Sequence, residues 1–151
     1  MQIRTARPDD LPALLDLAAA FYREGGFSTP ESELRANLDT LVAWPTARVA
    51  VCEGDGRLVA FAITTTTFGL ESGLYAELED LYVAPEARRR GLAARLIEDS
   101  RRWAAEKGCA DLEVVIAPNG GDVSHLFDFY ARLGFVDEGR RLLTHPLTPS
   151  A

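Results

Sequence analysis

Residues 78–97, Leu78-Glu-Asp-Leu-Tyr-Val-Ala-Pro-Glu-Ala-Arg-Arg-Arg-Gly-Leu-Ala-Ala-Arg-Leu-Ile97, read as a strand, a basic turn and a helix. Leu78, Leu81 and Val83 are apolar, and Pro85 stops the strand. Arg88, Arg89, Arg90 and Gly91 form the turn, and Leu92, Ala93, Leu96 and Ile97 then recur at helical spacing. A helix that opens straight out of such a turn presents unpaired N–H groups and the positive end of its dipole. Gly91 permits a positive φ or a close backbone approach. The group that suits this mouth is a phosphate or pyrophosphate.

Outward from that stretch the punctuation is regular. Residues 2–6 alternate like a strand, with Ile3 facing inward. Asp9 or Asp10 is placed to cap a helix whose stripe is Leu11, Leu14, Leu15, Leu17, Ala18 and Phe21, ended by Gly25-Gly26. Ser28 or Thr29, with Pro30 at the first position, starts a second helix that buries Leu34, Leu38, Leu41 and Val42. Strands follow at 47–52 and 57–67 around the turn Gly54-Asp-Gly56, and a third at 74–83. The helix after Gly91 runs to Lys107, with Gly108 as its stop. A strand at 111–116, a helix capped by Asp122 or Ser124 and ended at Gly134, and two short strands in 135–145 complete the chain. The order is β-α-α-β-β-β-α-β-α-β-β, with no repeat and no linker, so 1–151 reads as one mixed α/β domain.

Composition narrows the function classes. The chain has 151 residues, 47% hydrophobic and 26% charged, an ordinary soluble balance. Twenty-three acids against 16 bases give a net charge of −7. That argues against a nucleic-acid partner and mildly for cationic small molecules. Cys52 and Cys109 lack a C-x-x-C pattern and read as reduced, buried small hydrophobes. His125 and His145 lack a third ligand at metal spacing, so no metal is expected. No leader-like opening and no apolar run of about 20 residues is present, so a cytoplasmic protein without membrane contact is expected. Neither G-x-x-x-x-G-K-S/T nor G-x-G-x-x-G occurs, which weighs against a nucleotide-binding enzyme.

Arg88-x-x-Gly91-x-Ala93 fits Arg/Gln-x-x-Gly-x-Gly/Ala, and Tyr130-Ala-Arg-Leu-Gly-Phe135 fits Tyr-x-x-x-Gly-Phe. On these two motifs the chain resembles the GNAT superfamily of acyl-CoA-dependent N-acyltransferases. The resemblance implies a central mixed sheet flanked by helices and splayed between its fourth strand, 74–83, and its fifth, 111–116. The gap would hold the pantetheine arm of acetyl-CoA, the implied co-substrate. Main-chain groups at Leu81, Tyr82 and Val83 would line that arm, and Arg88, Arg89, Arg90, Gly91, Leu92 and Ala93 would hold its pyrophosphate. Asn119, Phe129 and Arg132 are further cofactor candidates, although the segment from Asn119 to Tyr130 is longer than the family pattern, through Gly120-Gly-Asp122. Tyr130 would protonate the leaving thiolate.

Leu78-Glu-Asp80 is similar to the polyamine and thialysine branch of that superfamily, where the residue matching Glu79 helps deprotonate the amine. The need is physical, because an amine of pKa about 10.4 is almost wholly protonated at pH 7. Strict alternation would put Glu79 and Asp80 on opposite faces. One of Glu77, Glu79 and Asp80 could instead be a solvated charge or an electrostatic lure. Asp80, Tyr22 and Phe27 are the candidate acceptor contacts. The implied reaction is direct transfer of an acetyl group to a primary amine of a small cationic substrate. The alternatives are an aminoglycoside, a peptide or protein amine, or a non-catalytic acyl-CoA sensor. Members of the superfamily often dimerise, and the C-terminal strands are the expected contact.

Overall fold

Asp55 and Gly56 both adopt positive φ, 52° and 74°. That is the twist a two-residue hairpin loop needs, and it pairs Gly54 with Arg57. The hairpin is the start of the sheet in the computed structural model, which describes residues 1–118 and 121–148. The elements are β1 (Gln2–Thr5), α1 (Leu11–Glu24), α2 (Glu31–Ala43), β2 (Ala47–Gly54), β3 (Arg57–Gly69), β4 (Gly73–Val83), α3 (Leu92–Glu106), β5 (Leu112–Val114) and α4 (Ser124–Arg132). The sheet runs β1-β2-β3-β4-β5, antiparallel except for the parallel β4–β5 pair.

Each face of the sheet carries its own core. Leu14, Leu15 and Ala18 of α1, with Leu34 and Leu38 of α2, cover Val49, Val51, Phe61, Ile63 and Tyr82. Leu92, Leu96 and Ile97 of α3 cover the opposite face at Ala50, Ala60, Ala62 and Leu78. The α3 side has a polar peg as well. Thr64 and Ser100 are both buried and share a 2.9 Å hydroxyl hydrogen bond, so neither is left unsatisfied. Arg48 donates two bonds to Asp99, 2.8 and 2.9 Å, and so ties β2 to the same helix.

Several expected features differ. Asp10 does not cap α1 through its side chain. It ends a short 3-10 turn at Pro8–Asp10, accepts the Arg7 N–H at 2.7 Å, and is gripped by Arg4. Pro30 is the residue before α2, so that helix starts one position later than expected and has no side-chain cap. β5 is three residues rather than six. The two strands expected in 135–145 do not form: after α4 the described residues are irregular, and Val136, Leu142 and Leu143 are exposed. Strand-like composition there does not suffice to make strands, since strand propensity is mostly packing context. No helix among the described residues is long and apolar enough to cross a membrane.

Arg4 sits between Asp10 and Glu53 and joins β1, the start of α1 and β2. The Arg4 hydrogen bond lowers the Asp10 carboxyl to about 2, against a burial effect of opposite sign. A carboxylate depressed in this way adds stability that is present above its unfolded pKa and lost as pH falls through its folded one. Asp10→Asn is therefore expected to cost about 1–3 kcal/mol at pH 7. That loss should vanish in urea titrations carried down through pH 4 to pH 2.

Candidate active site

β4 is irregular at one position. Ile63 pairs with Asp80 and Thr64 pairs with Leu78, so Glu79 is an extra residue with no partner on β3. A bulge of this kind resets the alternation of side chains. Leu78 faces the α3 side beside Thr64, while Asp80 and Tyr82 face α1. Glu79 also reaches the α1–α2 side, where Thr65 Oγ1 donates to its Oε1 at 2.9 Å. The expectation that Glu79 and Asp80 lie on opposite faces is thus corrected. The bulge puts both carboxylates on one.

Both line a cavity of about 550 Å³ walled by α1, α2 and the sheet, together with Tyr22, Asn37, Thr40, Trp44 and Thr65. Tyr22 donates its phenolic proton to Asp80 Oδ1 at 3.3 Å. Burial, then the Asp80 charge, pushes the Tyr22 phenol up to about 12, so it remains a donor at neutral pH. Burial also raises the Asp80 carboxyl, and Glu79 adds to the rise, while the Tyr22 bond opposes it. Glu77 joins from the same strand. Burial first, then the hydrogen bond and charge of Glu79, raise its carboxyl to about 7. A site with several carboxylates and few cations is electrostatically suited to an ammonium group. Phe27 packs against Tyr22 at a tilt, with ring centroids 5.4 Å apart, and is itself exposed.

On the β5 side, β4 outruns its partner. Parallel pairing ends at Leu78 with Val114, and β4 continues to Val83. The expected splay therefore begins at residue 79. Ala84 N–H bonds Val59 O, which fixes the alternation and aims the N–H groups of Leu81 and Val83 away from β3, into that gap. Tyr82 goes elsewhere. Its side chain is buried under α1, stacked on Phe21 at 5.2 Å, and its backbone alternates toward β3.

The turn after Pro85 closes one end of the gap. Arg89 has φ 63°, a strained value for a residue with a side chain, and Gly91 has φ 74°, which glycine adopts without strain. Among the described residues, the N–H groups of Gly91, Leu92, Ala93 and Ala94 meet no protein acceptor. Arg88 does not point there: its guanidinium holds both carboxylate oxygens of Glu24 at 2.9 Å, donates to Val83 O, and lies over the Tyr82 ring. It locks the end of α1 to the turn.

Tyr130 closes the other side. It is half-buried on α4, edge-on to Phe129 and Phe135, and packs on the α3-face core with Leu81, Val83 and Val114. Burial raises its phenol, and among the described residues its hydroxyl has no hydrogen-bond partner. Arg132 is exposed, with Nε donating to Asp128 O at 3.3 Å. Asn119 lies outside the described residues. So the strand β4 divides an acidic cavity on one face from an open edge flanked by a donor-rich turn and a phenol on the other.

The sequence model of the acetyltransferase (GNAT) family matches residues 11–135. The chain is a member of the GNAT acetyltransferase family. An aminoglycoside N(6')-acetyltransferase type 1 of Serratia marcescens is 35% identical over 139 residues, 87% of this chain and 89% of its own. A solved integron cassette protein from the Cole Harbour salt marsh metagenome superposes with TM-score 0.85 at 29% identity, covering 99% of this chain and 92% of its own. An aminoglycoside N-acetyltransferase solved in complex with CoA shares the fold, with TM-score 0.81 at 21% identity over 97% of this chain and 95% of its own. The GNAT fold accounts for the mixed sheet, and the GNAT motifs coincide with the turn at Gly91 and the phenol at Tyr130. Glu77 is the residue that reading the sequence underrated, because its proximity to Glu79 depends on the bulge.

Gly91 is held by conformation rather than by crowding, since a Cβ there would meet nothing within 4 Å. Gly91→Ala is therefore expected to cost about 1 kcal/mol through backbone strain alone. Denaturant unfolding at pH 7 measures it, and a neutral or stabilising result would contradict the left-handed geometry.

Proposed function

We propose that this chain transfers the acetyl group of acetyl-CoA to a primary amine of a small substrate carrying several amino groups. The observation that carries this reading is the bulge at Glu79, which gathers carboxylates in a cavity on one face of β4 while the opposite edge stays open. The CoA held by the solved GNAT neighbour supports the cofactor. The printed name of the Serratia marcescens relative supports an aminoglycoside-type amine as the first acceptor to test. The run Leu78-Glu-Asp80 keeps linear polyamines as the second.

In the proposed geometry the diphosphate of CoA accepts from the N–H groups of Gly91, Leu92 and Ala93. The pantetheine arm lies along Leu81 and Val83 as an added strand. The acceptor enters from the cavity as an ammonium, drawn by Asp80 and Glu79. Glu79, directly or through water, takes one N–H proton. The freed nitrogen lone pair attacks the thioester carbonyl carbon, and a main-chain N–H of the β4 edge stabilises the oxyanion. As the carbonyl re-forms, the nitrogen sheds its second proton to water, the C–S bond breaks and the sulfur takes the Tyr130 proton. Solvent returns that proton to the phenol. Holding amine and thioester in line supplies several kcal/mol of the acceleration.

Thiol release from acetyl-CoA with kanamycin, spermidine, lysine and a lysine-bearing peptide tests the reading. Turnover with kanamycin or spermidine is expected. Bound CoA with no thiol release from any of the four would contradict it. Tyr130→Phe should lower kcat by about one to three decades and leave CoA affinity unchanged.

A further inference from the structure

Trp44 lines the acidic cavity just beyond the last turn of α2 and is 52% exposed. Lone exposed aromatics are ordinary on a protein surface, but this one is held still. Pro45 restricts the residue before it to extended backbone, and Trp44 has φ −75° and ψ 122°. Its main-chain N–H closes on Leu41 O at 3.1 Å. The indole Nε1–H donates to Thr46 Oγ1 at 2.8 Å, and Thr66 on β3 donates its hydroxyl to Thr46 O at 3.3 Å. The ring is thus tied through Thr46 to the sheet. Among the described residues no other ring and no cation packs on it. The polar edge of the indole is satisfied by the protein itself, and the π surface is left for a ligand.

We propose that Trp44 is a specificity-determining residue of the acceptor cavity: its indole stacks on a saturated ring that bears ammonium and hydroxyl groups, and so favours such cyclic acceptors over linear polyamines. The inference rests on the preceding reading that this cavity receives the acceptor amine. The face of an indole is electron-rich and attracts ammonium groups and the C–H bonds polarised by them. Asp80 and Glu79 line the same cavity and draw the reacting nitrogen. Carboxylates alone would accept any compound with several ammonium groups. Two further features discriminate. A fixed flat surface suits a rigid ring, whereas a flexible chain gives up rotamer freedom to lie along it. The exposed Asn37 amide on α2 lines the cavity too, and offers a donor and an acceptor that a ring hydroxyl can use and a linear polyamine cannot.

Calorimetric titration of the protein with kanamycin and with spermidine, in the presence of CoA, tests this. Trp44→Ala should weaken kanamycin about tenfold, and Trp44→Phe, which keeps an aromatic face, by less than about threefold. Spermidine should change by less than about threefold in both variants, and CoA affinity not at all. A merely structural role for Trp44 would weaken all three ligands together. Emission gives a second readout. The chain has two tryptophans, so in Trp103→Phe the indole of Trp44 reports alone. Kanamycin should change that emission saturably without acetyl-CoA present. Equal weakening of both amines, unchanged kanamycin binding in Trp44→Ala, or no kanamycin binding to the native chain would overturn the stacking role. Kanamycin acetylation by Trp44→Ala at the native kcat/KM would overturn it too, and leave the proposed reaction standing. Kanamycin bound through Trp44 yet never acetylated would overturn the reaction and leave the stacking role standing.

Discussion

One unpaired residue on β4 governs the site. Where β3 passes from Ile63 to Thr64, β4 inserts Glu79. Without the bulge, regular alternation through Glu79 would put Leu78 and Asp80 on one face, and Asp80 would point into the apolar side covered by α3. With it, Leu78 stays in the core beside the Thr64–Ser100 hydrogen bond, while Asp80 turns to Tyr22. The same insertion coincides with the end of β4–β5 pairing at Leu78. A bulge locally increases twist and disrupts the ladder. The acidic cavity and the open strand edge therefore begin at the same place for the same reason. Leu81 and Val83 can then present main-chain donors to a ligand on one side, while the residues around Glu79 present charge on the other.

The turn at Arg89–Gly91 is the second constraint, and it is costly to maintain. Arg89 holds a left-handed conformation that disfavours a side chain, and a run of N–H groups has no protein acceptor. Strain of this kind persists only where the surroundings impose it. Here Arg88 supplies much of the restraint by clamping Glu24, the Val83 carbonyl and the Tyr82 ring. The arginine run is thus divided in its work. Arg88 holds the turn to α1, and the backbone that follows is left free to bind an anion.

Much of this was legible in the sequence. The hairpin at Asp55-Gly56, the stripe of α1 and the helix opening after Gly91 each carry a local signal strong enough to survive into the fold. The motif at Arg88-x-x-Gly91 located the donor-rich turn, though not the inward use of the Arg88 side chain. The facing of Glu79 and Asp80 was misread because a bulge is a property of two strands, and nothing in Leu78-Glu-Asp80 alone announces one. Glu77 was undervalued for the same reason. The strands expected in 135–145 do not form, because strand propensity is mostly packing context, which composition does not reveal. The resemblance offered Tyr82 as a main-chain contact beside Leu81 and Val83, and alternation across the bulge turns its backbone toward β3 and its ring into the core under α1.

The central claim is that β4 separates two binding functions, diphosphate and thioester on its open edge and the ammonium on its acidic face. Amide NMR of the nitrogen-15-labelled protein during titration with CoA addresses it most directly. The largest shifts should fall on the N–H groups of Gly91, Leu92 and Ala93, followed by Leu81 and Val83, with the Asn37–Leu41 stretch of α2 unmoved. Shifts concentrated on α2 and Tyr22, with the Gly91 turn silent, would contradict it.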